Sequence, residues 1–204
     1  MVPTVALRNW SYWRYRVSEH VPCRDEVPHG DRGVGSPAER LPAHTPHCMG
    51  CGPDNPHGLQ LVVYRCGEQV YADATFDERH IGAPGLAHGG AVAAACDDVL
   101  GFTLWIAGTP AVTRSLTVEY LLPVPLHQPH RITAHITERN GRALHVRATG
   151  TGTDGVTRFT ASAVFVVVST EHFAAHGDLA AFDGLLERFT RSSRAHADPH
   201  DPTS

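Results

Sequence analysis

From His88 to about Ile106 the chain contains no proline and is dominated by alanine, and Val92, Cys96, Val99 and Thr103 recur at helical spacing. This pattern predicts one helix of about five turns, beginning after Pro84-Gly85 and ended by Gly108-Thr109-Pro110. The segments around it, from Leu59 on, have a different period. Apolar and polar residues alternate in twos, as strands with one buried face require. Gly58 to Arg65 and Glu68 to Phe76 make two such runs, joined by Cys66-Gly67 as a hairpin would be. Four more runs follow the helix. Their expected inward sets are Leu116, Val118 and Tyr120; Ile132, Ala134 and Ile136; Leu144, Val146 and Ala148; and Phe159, Ala161, Ala163, Phe165 and Val167. Turns fall at Pro123-Val124-Pro125, Asn140-Gly141 and Asp154-Gly155, the last two being strong hairpin dipeptides. Two strands, a long helix and an antiparallel meander of four strands call for an α+β fold in which one curved antiparallel sheet wraps a long central helix.

With 204 residues, 42% of them hydrophobic, the chain can bury one sizeable core and has room for tails. Residues 1–46 carry many prolines without apolar periodicity and read as a disordered arm, with the aromatic-basic run Trp10-Ser-Tyr-Trp-Arg-Tyr-Arg16 as its one odd feature. Residues 47–170 form the expected domain, and 171–204 a short amphipathic helix and tail. A formal net charge of -4 and the lack of a basic tract argue against nucleic acid as the main partner. All 17 basic residues are Arg, so a phosphate-bearing ligand must be held by guanidinium groups, backbone N–H groups or helix N-termini. The odd count of 5 cysteines and the lack of a signal-peptide pattern predict a reduced, cytoplasmic setting. No apolar run approaches the length of a membrane span, so none is expected.

Two anomalies sit on the predicted helix. Gly89 and Gly90 at its start each cost about 1 kcal/mol relative to alanine, which asks for a reason. Without a β-carbon, first-turn N–H groups can touch a ligand atom, and the helix dipole stabilises negative charge developing on it, as an oxyanion site for a carbonyl requires. The second anomaly is Asp97-Asp98 midway along an apolar helix, since an ionised carboxylate is seldom buried without a partner or a task. Asp97 is the candidate for catalysis; Asp98 reads as part of a solvated stripe. Gly89 and Asp97 are eight residues apart, a helical rise of roughly 12 Å. A general base must reach its water, and the water must lie within about 3–3.5 Å of the carbonyl. One helix cannot bring both groups to one carbonyl, so two antiparallel copies are expected to share the site, as a homodimer or a dimer of dimers.

The segment His88-Gly89-Gly90, with an aspartate at the ninth position after the histidine, resembles the hotdog-fold thioesterase superfamily. The block Cys48-Met-Gly-Cys51-Gly-Pro-Asp-Asn55-Pro-His-Gly58-Leu upstream and Thr113-Arg-Ser-Leu-Thr-Val-Glu-Tyr120-Leu-Leu-Pro-Val-Pro125 downstream look like its branch of PaaI-like and long-chain acyl-CoA thioesterases. The likeness covers about residues 47–168. It implies hydrolysis of fatty or aromatic acyl-CoA, with no metal or organic cofactor. Asp97 would be the general base or nucleophile, Gly89 the oxyanion donor, Thr113 a positioning group and His88 a shaper of the helix start. Gly90, Arg114, Glu119, Arg142 and Arg147 would contact the substrate and its coenzyme A. Other hotdog thioesterases carry an asparagine six residues before the histidine, where this chain has Gly82, and the branch often has a lysine near Leu121, which this chain lacks. Alternatives within reach of the same pattern are an acyl-thioester dehydratase or hydratase and a non-catalytic acyl-CoA-binding protein. Cys48-x-x-Cys51, with His44, His47 and His57 nearby, is expected to be a tight loop leading into the first strand, because a tetrahedral metal site needs two further ligands. Cys96 beside Asp97 is a poor nucleophile candidate, since an apolar helix interior raises a thiol's pKa.

Overall fold

In the computed structural model, which describes residues 38–177, the alternating runs become one seven-stranded antiparallel sheet. In chain order its strands are β1 (Glu39–Arg40), β2 (Val63–Cys66), β3 (Gln69–Thr75), β6 (Ala111–Tyr120), β7 (Pro129–Asn140), β8 (Ala143–Gly152) and β9 (Thr157–Val167). A small separate hairpin, β4 (Ile81–Ala83) and β5 (Leu86–Ala87), leads into the helix α1 (Gly89–Gly101), followed by α2 (Thr103–Ala107). A short α3 (Thr170–His176) ends the described chain. The fold class read from the sequence, a long helix held by a curved antiparallel sheet, is what the structure has.

The helix docks by its apolar stripe. Val92, Ala95, Cys96 and Val99 are fully or almost fully buried, together with Val70 and Ala72 of β3, Ile132 and Ala134 of β7, Leu144 and Val146 of β8, and Phe159 of β9. Burying each large aliphatic or aromatic side chain of this kind stabilises the fold by about 1.5–3 kcal/mol. The expected inward sets of β7, β8 and β9 point to this core. Gly150 and Phe159 are cross-strand partners, and a Cβ on Gly150 would stand 2.1 Å from the Phe159 ring. The fully buried Phe159 thus occupies the space that glycine leaves.

Several details depart from the sequence reading. The four late strands are not a meander in sequence order: the sheet runs β1-β2-β3-β7-β8-β9-β6, so β7 pairs with β3 and β6 sits outside β9. The long connection Leu121–Gln128 permits this, whereas a tight turn after β6 would force it beside β7. The long helix is broken at Phe102, where the Thr103 hydroxyl donates to the Leu100 carbonyl at 2.7 Å and competes with the helical ladder. Gly89–Ala107 has the length and mean hydropathy, 1.4, to cross a membrane by composition alone, contrary to the expectation that no such run exists. Half of that segment is buried inside the fold, as a core helix requires. Residues 39–41, expected in the arm, belong to the domain, with β1 paired to β2 and Leu41 buried. The Trp10–Arg16 run and the tail beyond Gly177 lie outside the described residues.

Tyr120, expected to face inward, is 51% exposed, because β6 is the sheet's last strand and nothing among the described residues covers its outer side. This leaves a ten-residue strand edge open, with Leu116 and Val118 only half-buried.

Candidate functional site

The start of α1 is built by its own cap. His88 Nδ1 accepts the Gly90 N–H at 2.8 Å, and the His88 backbone N–H donates to His80 O at 2.7 Å, which fixes the loop entering the helix. Gly90 was expected among the substrate contacts, but here its N–H is spent on the cap. Gly89 keeps its N–H clear of that bond and carries Tyr120 over it. The Tyr120 hydroxyl donates to Gly89 O at 2.7 Å, and a Cβ on Gly89 would lie 3.3 Å from the phenol. Burial pushes the Tyr120 hydroxyl's pKa up, with the Cys96 thiol adding to it. Gly82 cannot be exchanged for asparagine without a shift, since a Cβ there would stand 2.7 Å from His88 Cα.

Two turns further on, Asp97 Oδ1 accepts a hydrogen bond from Thr113 Oγ1 at 3.1 Å. Thr113 reaches α1 from β6 just before a bulge at Thr113/Ser115 that resets the strand's alternation. Both residues line a cavity of about 290 Å³ whose apolar walls include Leu104, Val112, Phe165 and, from α3, Phe173. The structure therefore joins Asp97 and Thr113 at an apolar cavity and leaves Gly89 at the other end of the helix. Cys96, beside Asp97, is fully buried, and its thiol is pushed up to about 12 by burial and by the Asp97 charge.

The remaining predicted contacts do not converge on Asp97 within one chain. Arg147 is exposed on the sheet face opposite α1, flanked by the buried Val146 and Ala148. Arg142, in the β7–β8 turn, donates to Val167 O at 3.1 Å. Arg114 lies exposed in the β6 bulge, and Glu119 accepts from Thr160 Oγ1 at 3.4 Å on the outer face.

Asp98 is not on a solvated stripe. Its side chain is 8% exposed and faces the Leu41–Leu61 loop, where Oδ1 lies 3.5 Å from His44 Nδ1 and 3.5 Å from Cys48 Sγ. Burial raises the Asp98 carboxyl's pKa, and the His44 partner works the other way. The sequence reading missed this grouping because Asp98 stands 50 residues from Cys48.

Residues 84–158 match the family model of the thioesterase superfamily. A solved structure described as a thioesterase superfamily protein is 27% identical, with a TM-score of 0.57 over 59% of this chain and 60% of its own, so the match spans less than two thirds of that relative. The E. coli PaaI protein from the phenylacetic acid degradation operon is 14% identical, with a TM-score of 0.51 over 54% of this chain and 81% of its own. Zebra fish thioesterase superfamily member 2 is 18% identical, with a TM-score of 0.51 over 56% of this chain and 89% of its own. At such identities the last two speak for the fold alone. No curated protein matches the chain. Family model, element order and helix-in-sheet architecture agree: residues 84–158 match the thioesterase superfamily, and the fold is the hotdog fold.

Proposed function

We propose that the protein hydrolyses acyl-CoA thioesters to a free acid and coenzyme A, at a site shared by two copies of the chain. The observation that carries this reading is the Asp97–Thr113 pair on an apolar cavity. A carboxylate oriented by a hydroxyl can take a proton from water, and the cavity beside it suits a fatty or aromatic acyl group. The water oxygen bonds to the thioester carbonyl carbon while Asp97 takes the proton. The tetrahedral intermediate then collapses, the C–S bond breaks, and the departing coenzyme A thiolate takes the proton from Asp97, which regenerates the carboxylate. The negative oxygen of the intermediate needs a donor that the same chain's Gly89 cannot supply at roughly 12 Å of helical rise. In this reading the partner subunit's Gly89 supplies it, and the exposed edge of β6 is where the two copies meet.

Thiol release followed with a colorimetric reagent, across acetyl-, hexanoyl-, palmitoyl- and phenylacetyl-CoA, tests the proposal. Hydrolysis of at least one substrate is expected, and Asp97→Asn should reduce it by about 10²–10⁴-fold with the fold intact. Folded wild-type protein that hydrolyses none of them would overturn the acyl-CoA reading.

A further inference from the structure

The loop from Leu41 to Leu61 crosses α1 at Asp98, and the crossing is made by side chains that ligate metals. His44 Nδ1, Cys48 Sγ, Cys51 Sγ and an Asp98 carboxylate oxygen all lie within 4.8 Å of one another. Three of the distances are 3.3 Å (Cys51 Sγ to His44 Nδ1), 3.5 Å (Cys48 Sγ to Asp98 Oδ1) and 3.5 Å (His44 Nδ1 to Asp98 Oδ1). A tetrahedral ion with about 2.3 Å to sulfur and about 2.0–2.2 Å to nitrogen or oxygen requires ligand-to-ligand distances of roughly 3.3–3.8 Å.

We propose that His44, Cys48, Cys51 and Asp98 bind one tetrahedral Zn²⁺ ion that fastens the loop to the central helix. The expectation that Cys48-x-x-Cys51 is only a tight loop gives way, because the fold supplies the two further ligands the local sequence lacked.

Independent features of the site point the same way. Asp98 Oδ2 is buried with no hydrogen-bond partner in a side chain that is only 8% exposed, so the carboxylate whose Oδ1 meets His44 and Cys48 carries a second, unsatisfied oxygen. Two glycines make room. A Cβ on Gly50 would overlap the Asp98 carboxyl at 2.1 Å, and one on Gly52 would stand 2.4 Å from Cys48 N. The loop is held in its ligating shape by its own bonds, Gly52 N–H to Cys48 O at 3.0 Å, Leu59 N–H to Met49 O at 2.8 Å and Leu61 N–H to Gly50 O at 2.9 Å. Two sulfurs, an imidazole and a carboxylate select zinc over magnesium or calcium, which prefer all-oxygen shells. Four protein ligands fill a tetrahedron, so the ion is structural, with no open position for substrate. Since Asp98 is the neighbour of Asp97, the ion also fixes the helix where the candidate carboxylate projects.

The test is metal content and cobalt spectroscopy on the full chain, purified without a histidine tag from zinc-supplemented cells. One zinc per chain is expected. Cobalt substitution should give the thiolate charge-transfer band and intense visible bands of a tetrahedral site. Cys48→Ser and Asp98→Asn should each weaken zinc binding at least about tenfold in competition with a chromophoric chelator. If these variants fail to fold, the wild-type cobalt spectrum still decides. Folded wild-type protein holding less than about a tenth of an ion per chain, a cobalt spectrum without thiolate bands, or a native Cys48–Cys51 disulfide seen by mass spectrometry would overturn the site. None of these readouts depends on thioesterase activity.

Discussion

Asp97 accepts the Thr113 hydroxyl at 3.1 Å beside an apolar cavity, while Asp98, one residue on, is enclosed against His44 and Cys48. If Thr113 orients a working carboxylate, Thr113→Val removes a hydrogen bond to a charged group worth about 1.5–3 kcal/mol. The loss should appear as a drop in kcat of about 10–100-fold with little change in KM, and Thr113→Ser should recover most of it. Unchanged kcat in Thr113→Val would remove Thr113 from the machinery. A separate residue-scale prediction concerns His130, 1% exposed, whose Nδ1 lies 2.9 Å from Gln128 O. Burial lowers its pKa, and Arg158 adds to this, against opposing effects of the Gln128 carbonyl and Asp154. The unfolded chain therefore binds a proton that the folded chain resists. Stability from this group is complete above the ordinary imidazole pKa of about 6.5 and is lost as pH falls below it. Urea midpoints measured from neutral to mildly acidic pH should decline less in His130→Gln than in wild type. Asp97 was legible in the sequence because a carboxylate on an Ala-rich helix is conspicuous beside His88-Gly89-Gly90. The surroundings of Asp98 were not, since its partners arrive from a loop some fifty residues upstream and only folding brings them together.

Among the elements, strand faces were readable and strand neighbours were not. Alternation alone assigns Ile132, Leu144 and Phe159 to the core, because the side-chain period of a strand is two. It carries no information on which strand lies beside which, and β6 therefore moved from a meander position to the outer side of β9. Helix continuity was similarly overestimated, as the Thr103 hydroxyl's bond to Leu100 O is invisible to a periodicity argument. The β8–β9 pairing offers a direct test of how tightly the sheet is fitted. Gly150 faces Phe159, whose ring fills the place a side chain would take. Gly150→Ala should destabilise the fold by about 1–3 kcal/mol through overpacking, read as a lower urea midpoint at unchanged m-value. Pairing it with Phe159→Leu should restore part of the loss, whereas additive losses would show that the two positions do not compete for the same space.

At the level of the molecule, the proposed shared site bears on two features of the described residues at once. The candidate carboxylate and the candidate oxyanion donor lie at opposite ends of eight residues of helix, and the sheet ends in the exposed ten-residue strand β6. An open strand edge with half-buried Leu116 and Val118 is an aggregation hazard unless something covers it, and a second copy in antiparallel register would cover it while carrying Gly89 toward Asp97. Light scattering should accordingly give a mass of two or four chains. Specific activity should fall on dilution along the same curve as the dimer population, since in the shared-site reading a monomer lacks half of each site. The arrangement also predicts complementation. Mixing Asp97→Asn with a Gly89→Pro chain, which lacks the N–H, should regenerate heterodimers with one site carrying both native groups, and so partial activity from two inactive parents. Activity that stays constant through dissociation, or mixtures that remain inactive despite exchanging subunits, would place both groups' action within one chain and remove the reason for a shared site.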